Sequence, residues 1–444
     1  FDIRVMGANQ KHLFLIYFLV VVYALCYQLQ APIEPFLVEN LVKSGDGQTG
    51  SAAVAEAYAN LNAFFSFAQA FGSLVVGYFL DRFGTRAGFA LNFIACALTY
   101  FILSNTDSMT MLFLSKVPGV AVAGFLCAQA AVAKVTTEGS ERLVALGRLT
   151  SAYTVGGVIG PYVGGQLGAS GDYFLGARLA TAGCLLCAAL AFLLPSDNHT
   201  SGKDEDKDQD KGKGKSSKGD EEADVEAPWL HRAVTVLSIV WLFLGVKVVT
   251  SVANSMARSS QPLILKNELG ADEAVMGTFM SAQFGFGGFA NTFLLAPVAR
   301  LLGGKVSAVV RNCVLILGCG YLLLAAAYSS TGKQWVGLQG AAQIYPFVGV
   351  SMFLAIFQYS LGTSITANTT QLVPAAYQGT LMGIEHALFA VAYMVGPKLS
   401  VQLMHLGGIC GVALGCSAVF FAVLLAWLLC YTDKTKDGDR KKVL

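Results

Sequence analysis

The sequence predicts an all-α membrane protein of about twelve transmembrane helices, arranged as two pseudo-symmetric six-helix bundles. Three observations lead there. Hydrophobic residues make up 55% of the 444 and charged residues only 13%, too little charge to cover a water-soluble fold of this length. Apolar runs of about 20 residues recur along the chain, each long enough to cross a hydrocarbon core of roughly 30 Å. Corresponding runs in the two halves carry matching landmarks, as expected of a duplicated bundle.

The first six runs centre near Val21, Phe67, Ala95, Val122, Val158 and Leu186. The second six centre near Leu242, Phe286, Leu317, Leu354, Val391 and Val423. The run at 13–29 is long for a signal-peptide core and lacks a small-residue cleavage pattern, so it reads as a membrane helix. Residues 1–195 form the first bundle and residues 229–432 the second. Between them, residues 196–228 include KDEDKDQDKGKGKSSKGDEEAD. Such a mixed-charge run without aromatics buries no apolar area and is expected to be disordered; it suits either a plain spacer or a regulatory tether. A basic tail fills 433–444.

Lysine and arginine in short loops set orientation. Arg82 and Arg86 lie between spans two and three, Lys134, Arg142 and Arg148 between four and five, and Arg300, Lys305 and Arg311 between eight and nine. With twelve spans these share one side with the tail, so both termini and the central linker are expected in the cytosol. The landmark repeat is a Gly-Pro pair, Gly160-Pro161 in span five and Gly396-Pro397 in span eleven, with Gly147 and Gly383 at equal spacing before them.

Composition and motifs also exclude partners and chemistries. A net charge of +2 implies no strongly acidic or basic partner, and nothing suggests nucleic acid. All ten cysteines fall in apolar runs, where thiols act as small hydrophobes. The CxxC of Cys184 and Cys187 therefore gives no metal or redox site. Gly285-Phe-Gly287 is not preceded by a strand, so it is not a dinucleotide fingerprint. Gly214-Lys215-Ser216 lacks the first glycine of a phosphate loop, because Gln209 stands there. Without a nucleotide site the chain offers no ATP-driven pumping. No nucleophile–base pair stands out, so an enzyme is not expected, and no metal or cofactor beyond a coupling proton.

Ionisable residues inside membrane spans are functional candidates by default. Glu34 sits in Pro32-Ile-Glu34-Pro35 near one end of span one; coupling and snorkelling to the interface are both open to it. Lys116 lies in span four and Lys247 deep in span seven. Glu385 and His386 begin span eleven, either at the interface or in the pathway. Lys247, Ser251, Asn254 and Arg258 share one helix face, as do Asn62, Ser66, Gln69 and Ser73 in span two. Each stripe suits a water-lined cavity or interhelical hydrogen bonding. Tyr23, Tyr27, Trp241, Tyr345, Tyr359, Phe389 and Tyr393 supply aromatic walls that suit a cation.

Two motifs carry a resemblance. Gly77-Tyr-Phe-Leu-Asp81-Arg82-Phe-Gly84-Thr-Arg86 resembles the signature loop of the major facilitator superfamily. There the charges form a conformational latch; Ala87 replaces a second basic residue, and the second-half loop 299–303 lacks the Asp. Gly156-Gly157-Val-Ile-Gly160-Pro161-Tyr-Val-Gly164-Gly165 is similar to the motif of that superfamily's drug:proton antiporters. Those antiporters commonly carry Arg where Lys116 stands. With Arg148-Leu149 and Lys247-Val248, the chain looks most like the tetracycline-transporter-like, organic-cation-transporter-like group, the relatives of solute carrier family 22 member 18. The resemblance implies a secondary transporter of a small organic solute, drug or organic-cation-like, exchanging it for protons by alternating access in a lipid bilayer. A proton-independent uniporter and a non-transporting receptor or scaffold are the alternatives.

Overall fold

The computed structural model describes residues 8–45, 50–136, 140–194, 229–332, 340–373 and 378–430. The linker and tail predicted at 196–228 and 433–444 lie outside them. Among the described residues the structure is helical, without strands. That is what lipid requires, since a helix satisfies its backbone groups within one segment.

In chain order the helices are α1 (Ala8–Leu29), α2 (Glu34–Gly45), α3 (Ser51–Leu103), α4 (Met109–Lys116), α5 (Gly124–Val135), α6 (Ser140–Ala169) and α7 (Leu175–Ala191). Then follow α8 (Trp229–Asn267), α9 (Glu273–Phe289), α10 (Leu295–Leu301), α11 (Val306–Tyr328), α12 (Ile344–Leu372) and α13 (Gln378–Cys430). Of the predicted span centres only Val122 falls outside a helix. Among the described residues, seven stretches are long and apolar enough to cross a membrane on their own, 9–44, 82–103, 109–135, 234–267, 306–328, 344–372 and 388–430. Those that miss the criterion include α6, diluted by glycine and hydroxyl residues, and α7, one of the shorter apolar helices.

Several spans are bent or broken, each at an identifiable residue. Span one breaks between α1 and α2 at 30–33, where Pro32 lies; the Glu34 N–H reaches back to the Gln30 carbonyl at 3.1 Å. The long α3 contains spans two and three and turns at Gly84, whose φ of 81° is left-handed, a conformation a Cβ disfavours. Likewise α13 contains spans eleven and twelve and turns at Gly407 and Gly408. A π-helical turn, Ala290–Leu294, joins α9 to α10.

Span four breaks between α4 and α5, passing through a 3₁₀ turn at Val117–Ala121 with Pro118 in its second position. The orphaned Ala123 N–H is taken up by Asn92 Oδ1 of α3 at 2.9 Å, and Asn92 is fully buried. Asn92→Ala should leave a buried donor unpaired and cost about 1–3 kcal/mol. A lowered unfolding temperature of the purified protein checks this; an unchanged one refutes the cap.

The described chain divides into two compact units. The first holds the described residues of Phe1–Gly214, Ser259–Phe289 and Gly340–Ile344. In it α6 packs against α1 on one side and α9 on the other, and α3 packs against α4, α5 and α7. The second unit holds those of Lys215–Arg258, Ala290–Gln339 and Tyr345–Leu444. Its α11 lies along α13, joined by Tyr321 stacked on Phe420 with centroids 5.8 Å apart. Ser417 also donates to the Gly318 carbonyl at 2.8 Å.

Candidate functional site

Each unit contains a desolvated lysine–carboxylate pair. In the first, Lys116 Nζ lies 2.8 Å from Glu34 Oε1, with side chains 12% and 16% exposed. The two chain breaks position it: Glu34 opens α2 and Lys116 closes α4, so neither side chain projects from an unbroken helix. Lys116 also sits over the Phe65 ring, 5.3 Å from its centroid. Phe65 begins an aromatic chain that runs through Tyr27 and Tyr23 to Tyr153. Gln69 hydrogen-bonds Tyr27, while the Asn62 amide turns back to its own helix at the Tyr58 carbonyl, 3.0 Å away. Glu34, Lys116 and Gln69 thus converge on one aromatic-walled region.

In the second unit, Lys247 Nζ donates to Glu385 Oε2 at 2.5 Å and to Thr366 Oγ1 at 2.7 Å. Thr369 Oγ1 donates to Glu385 Oε1 at 3.3 Å. The Lys247 and Glu385 side chains are 7% and 5% exposed, and the Phe389 ring lies 5.1 Å from the ammonium. One turn before Glu385 on α13, Leu381 joins Val236, Val240 and Val373 in a buried apolar cluster, with Ile384 packed on it. Glu385 is thus buried among packed side chains. The His386 side chain lies outside the described residues.

The span-seven stripe is not uniform. Lys247 and Ser251 are buried, Asn254 is half-buried and Arg258 is exposed. The Ser251 hydroxyl donates to the Lys247 carbonyl at 2.6 Å, the local back-bonding common for Ser in helices. The aromatics sort as well. Tyr23 is buried and Phe389 faces the lysine, while Trp241, Tyr345 and Tyr359 are exposed.

The glycine motif packs on two sides of α6. Gly156, Gly160 and Gly164 meet α1: a Cβ on Gly160 would lie 2.7 Å from the Leu25 carbonyl oxygen, and those on Gly156 and Gly164 would collide with the Val21 and Leu29 carbonyls. Gly165 meets α9, where a Cβ would lie 2.8 Å from the Gly277 Cα; Gly277 in turn abuts the Pro161 carbonyl. The helix runs on through Pro161. In the second half, Gly396 sits against Ser255 of α8. The repeated Gly-Pro thus serves the same close helix packing in both halves.

Of the signature loop, Gly84 makes the turn described above. Arg82 and Arg86 lie over the Phe83 and Phe192 rings at 5.8 and 5.2 Å. Gly77 and Asp81 lie on α3, with side chains outside the described residues.

Sequence reasoning missed three features. Thr366 and Thr369, one turn apart, were legible only as part of a helix. Lys266 pairs with Glu39 and donates to the Pro35 carbonyl at 2.9 Å. Tyr173 donates to Glu273 Oε1 at 2.6 Å; burial first, and then this acceptor, push its phenol up to about 12. Among the described residues no group of His, Cys, Asp or Glu is suited to hold a metal ion.

Among the described residues the chain is thus a multi-span helical membrane protein with glycine-packed, broken spans and a desolvated ion pair in each unit. The major facilitator superfamily model matches residues 16–338 and 243–443, and the chain belongs to that superfamily. It is 25% identical to mouse solute carrier family 22 member 18 over 90% of this chain and 91% of that one. It is 24% identical to the class C tetracycline resistance protein of Escherichia coli over 84% of each. A match to human solute carrier family 67 member A1 reaches 31% identity but spans only 38% of either chain. The solved human organic anion transporter MFSD10 shares the fold, with TM-score 0.60 and 16% identity over 95% of this chain and all of that one.

Proposed function

We propose that this secondary transporter exchanges a small organic solute for protons, with a partly buried carboxylate, Glu34, carrying the coupling proton. The observation that carries this reading is the Glu34–Lys116 pair against the Phe65 ring, which in turn packs on Tyr27. Protonation of Glu34 removes its charge from Lys116 and deprotonation restores it, so the proton on this one group biases which way the transporter opens. Exchange of that proton against the solute is antiport. The likeness to a tetracycline resistance protein supports a drug-like solute.

Alternating access follows if the halves 1–195 and 229–432 rock about the site. The Asp81–Arg86 loop acts as latch in one state, and the α6–α9 glycine contact closes the opposite end. The termini and the 196–228 linker then face the cytosol. The coupling proton is the only cofactor this scheme needs.

Glu34→Gln holds the side chain permanently neutral. In proteoliposomes it should abolish exchange driven by a pH gradient, at least tenfold, yet leave solute counterflow. Intact coupling in that variant removes Glu34 from the mechanism. Solute flux indifferent to pH in the unaltered protein replaces antiport with uniport.

A further inference from the structure

The Lys247–Glu385 pair is buried in the second unit, and the coupling scheme does not use it. Both partners are fully engaged. Lys247 has three donors; two go to Glu385 Oε2 and Thr366 Oγ1, and the ammonium lies over the Phe389 ring. Glu385 receives Lys247 on one oxygen and Thr369 on the other. Removing either member of such a pair leaves an uncompensated charge in a desolvated setting.

That arithmetic restricts what can bind there. A simple cation drawn to Glu385 displaces Lys247 and leaves it unpaired. A simple anion drawn to Lys247 does the same to Glu385. A molecule carrying both an ammonium and an acidic group can enter between them: its ammonium takes Glu385 and its acid group takes Lys247 and the Thr366 hydroxyl. Every buried charge then stays paired. The Phe389 face offers a flat apolar wall to the carbon body that joins the two groups.

We propose that this pair is the solute's charge-reading site and that the transported solutes are zwitterionic organic molecules with a planar or aromatic body. The inference rests on the reading of the chain as a small-solute exchanger and names the class of solute. It is compatible with antiport, because the coupling carboxylate, Glu34, belongs to the other ion pair.

The test uses the purified full-length protein in nanodiscs. Binding is read by thermal shift and by competition among matched triads. Each triad is an aromatic amino acid, its methyl ester and its N-acetyl form, extended to larger ring systems. The zwitterion should bind at least about a hundredfold more tightly than either single-charge form, the scale set by one unpaired buried charge. Lys247→Met should shift preference to the ester and Glu385→Gln to the N-acetyl form. The exchanged pair, Lys247→Glu with Glu385→Lys, controls for folding, because it keeps both charges together.

Equal or tighter binding of a single-charge form by the unaltered protein overturns the proposal, as does a preference that neither variant moves. Silence of every triad removes the pair from solute binding. The Glu34→Gln flux measurement is read separately, so loss of the zwitterion preference leaves the exchanger reading standing, and loss of proton coupling leaves this site standing.

Discussion

Lys247→Met alone should destabilise the protein by about 3–5 kcal/mol, because it strands the Glu385 carboxylate in a site where both side chains are almost fully buried. Glu385→Gln should cost a comparable amount by stranding Lys247. The double variant should recover much of the loss, since two neutral side chains leave no charge unpaired. Thr366 and Thr369 remain to satisfy the glutamine amide. The comparison is made by unfolding the purified variants in one detergent. A double variant as unstable as the singles added together would show that the two residues act independently, contrary to their 2.5 Å contact.

The fold was legible because lipid imposes a coarse rule. Lengths of about 20 apolar residues are countable, and the breaks at Pro32, Gly84 and Pro118 fall where the sequence places backbone-altering residues. The Gly-Pro repeat was equally visible. Pairing was not. Lys247 and Glu385 are 138 residues apart, and helical periodicity assigns a residue to a face without saying which helix opposes that face. Glu385 therefore read as well at an interface as in the interior. The span-seven stripe misleads for a related reason. Its residues share a face, but burial changes along the helix from Lys247 to Arg258, and periodicity says nothing of depth. The threonines of α12 carried no signal, since hydroxyls in membrane helices commonly bond their own carbonyls. Thr366 does so too, donating to the Gly362 carbonyl at 3.0 Å while accepting from Lys247.

The glycines of α6 support a second large effect. Gly164 sits so close to α1 that a Cβ would overlap the Leu29 carbonyl oxygen, and a backbone carbonyl has no rotamer by which to retreat. Gly164→Leu should therefore force α1 and α6 apart and cost stability whatever state the transporter occupies. Gly277→Leu acts on the other side of α6, where its Cβ would meet the Pro161 carbonyl. If the α6–α9 contact opens once in every transport cycle, the two substitutions differ in kind. Gly164→Leu should lower the unfolding temperature and abolish transport together. Gly277→Leu should reduce flux at least tenfold while sparing solute binding, because it disfavours one state and leaves the open one unstrained. Small residues at helix crossings exist to permit such approach, so loss of stability alone does not tell a fixed contact from a moving one. The state-dependent reading is decided by cross-linking a cysteine pair placed across α6 and α9. Gly277→Leu should lower the cross-linking yield with the fold intact, and an unchanged yield would make the contact a static one.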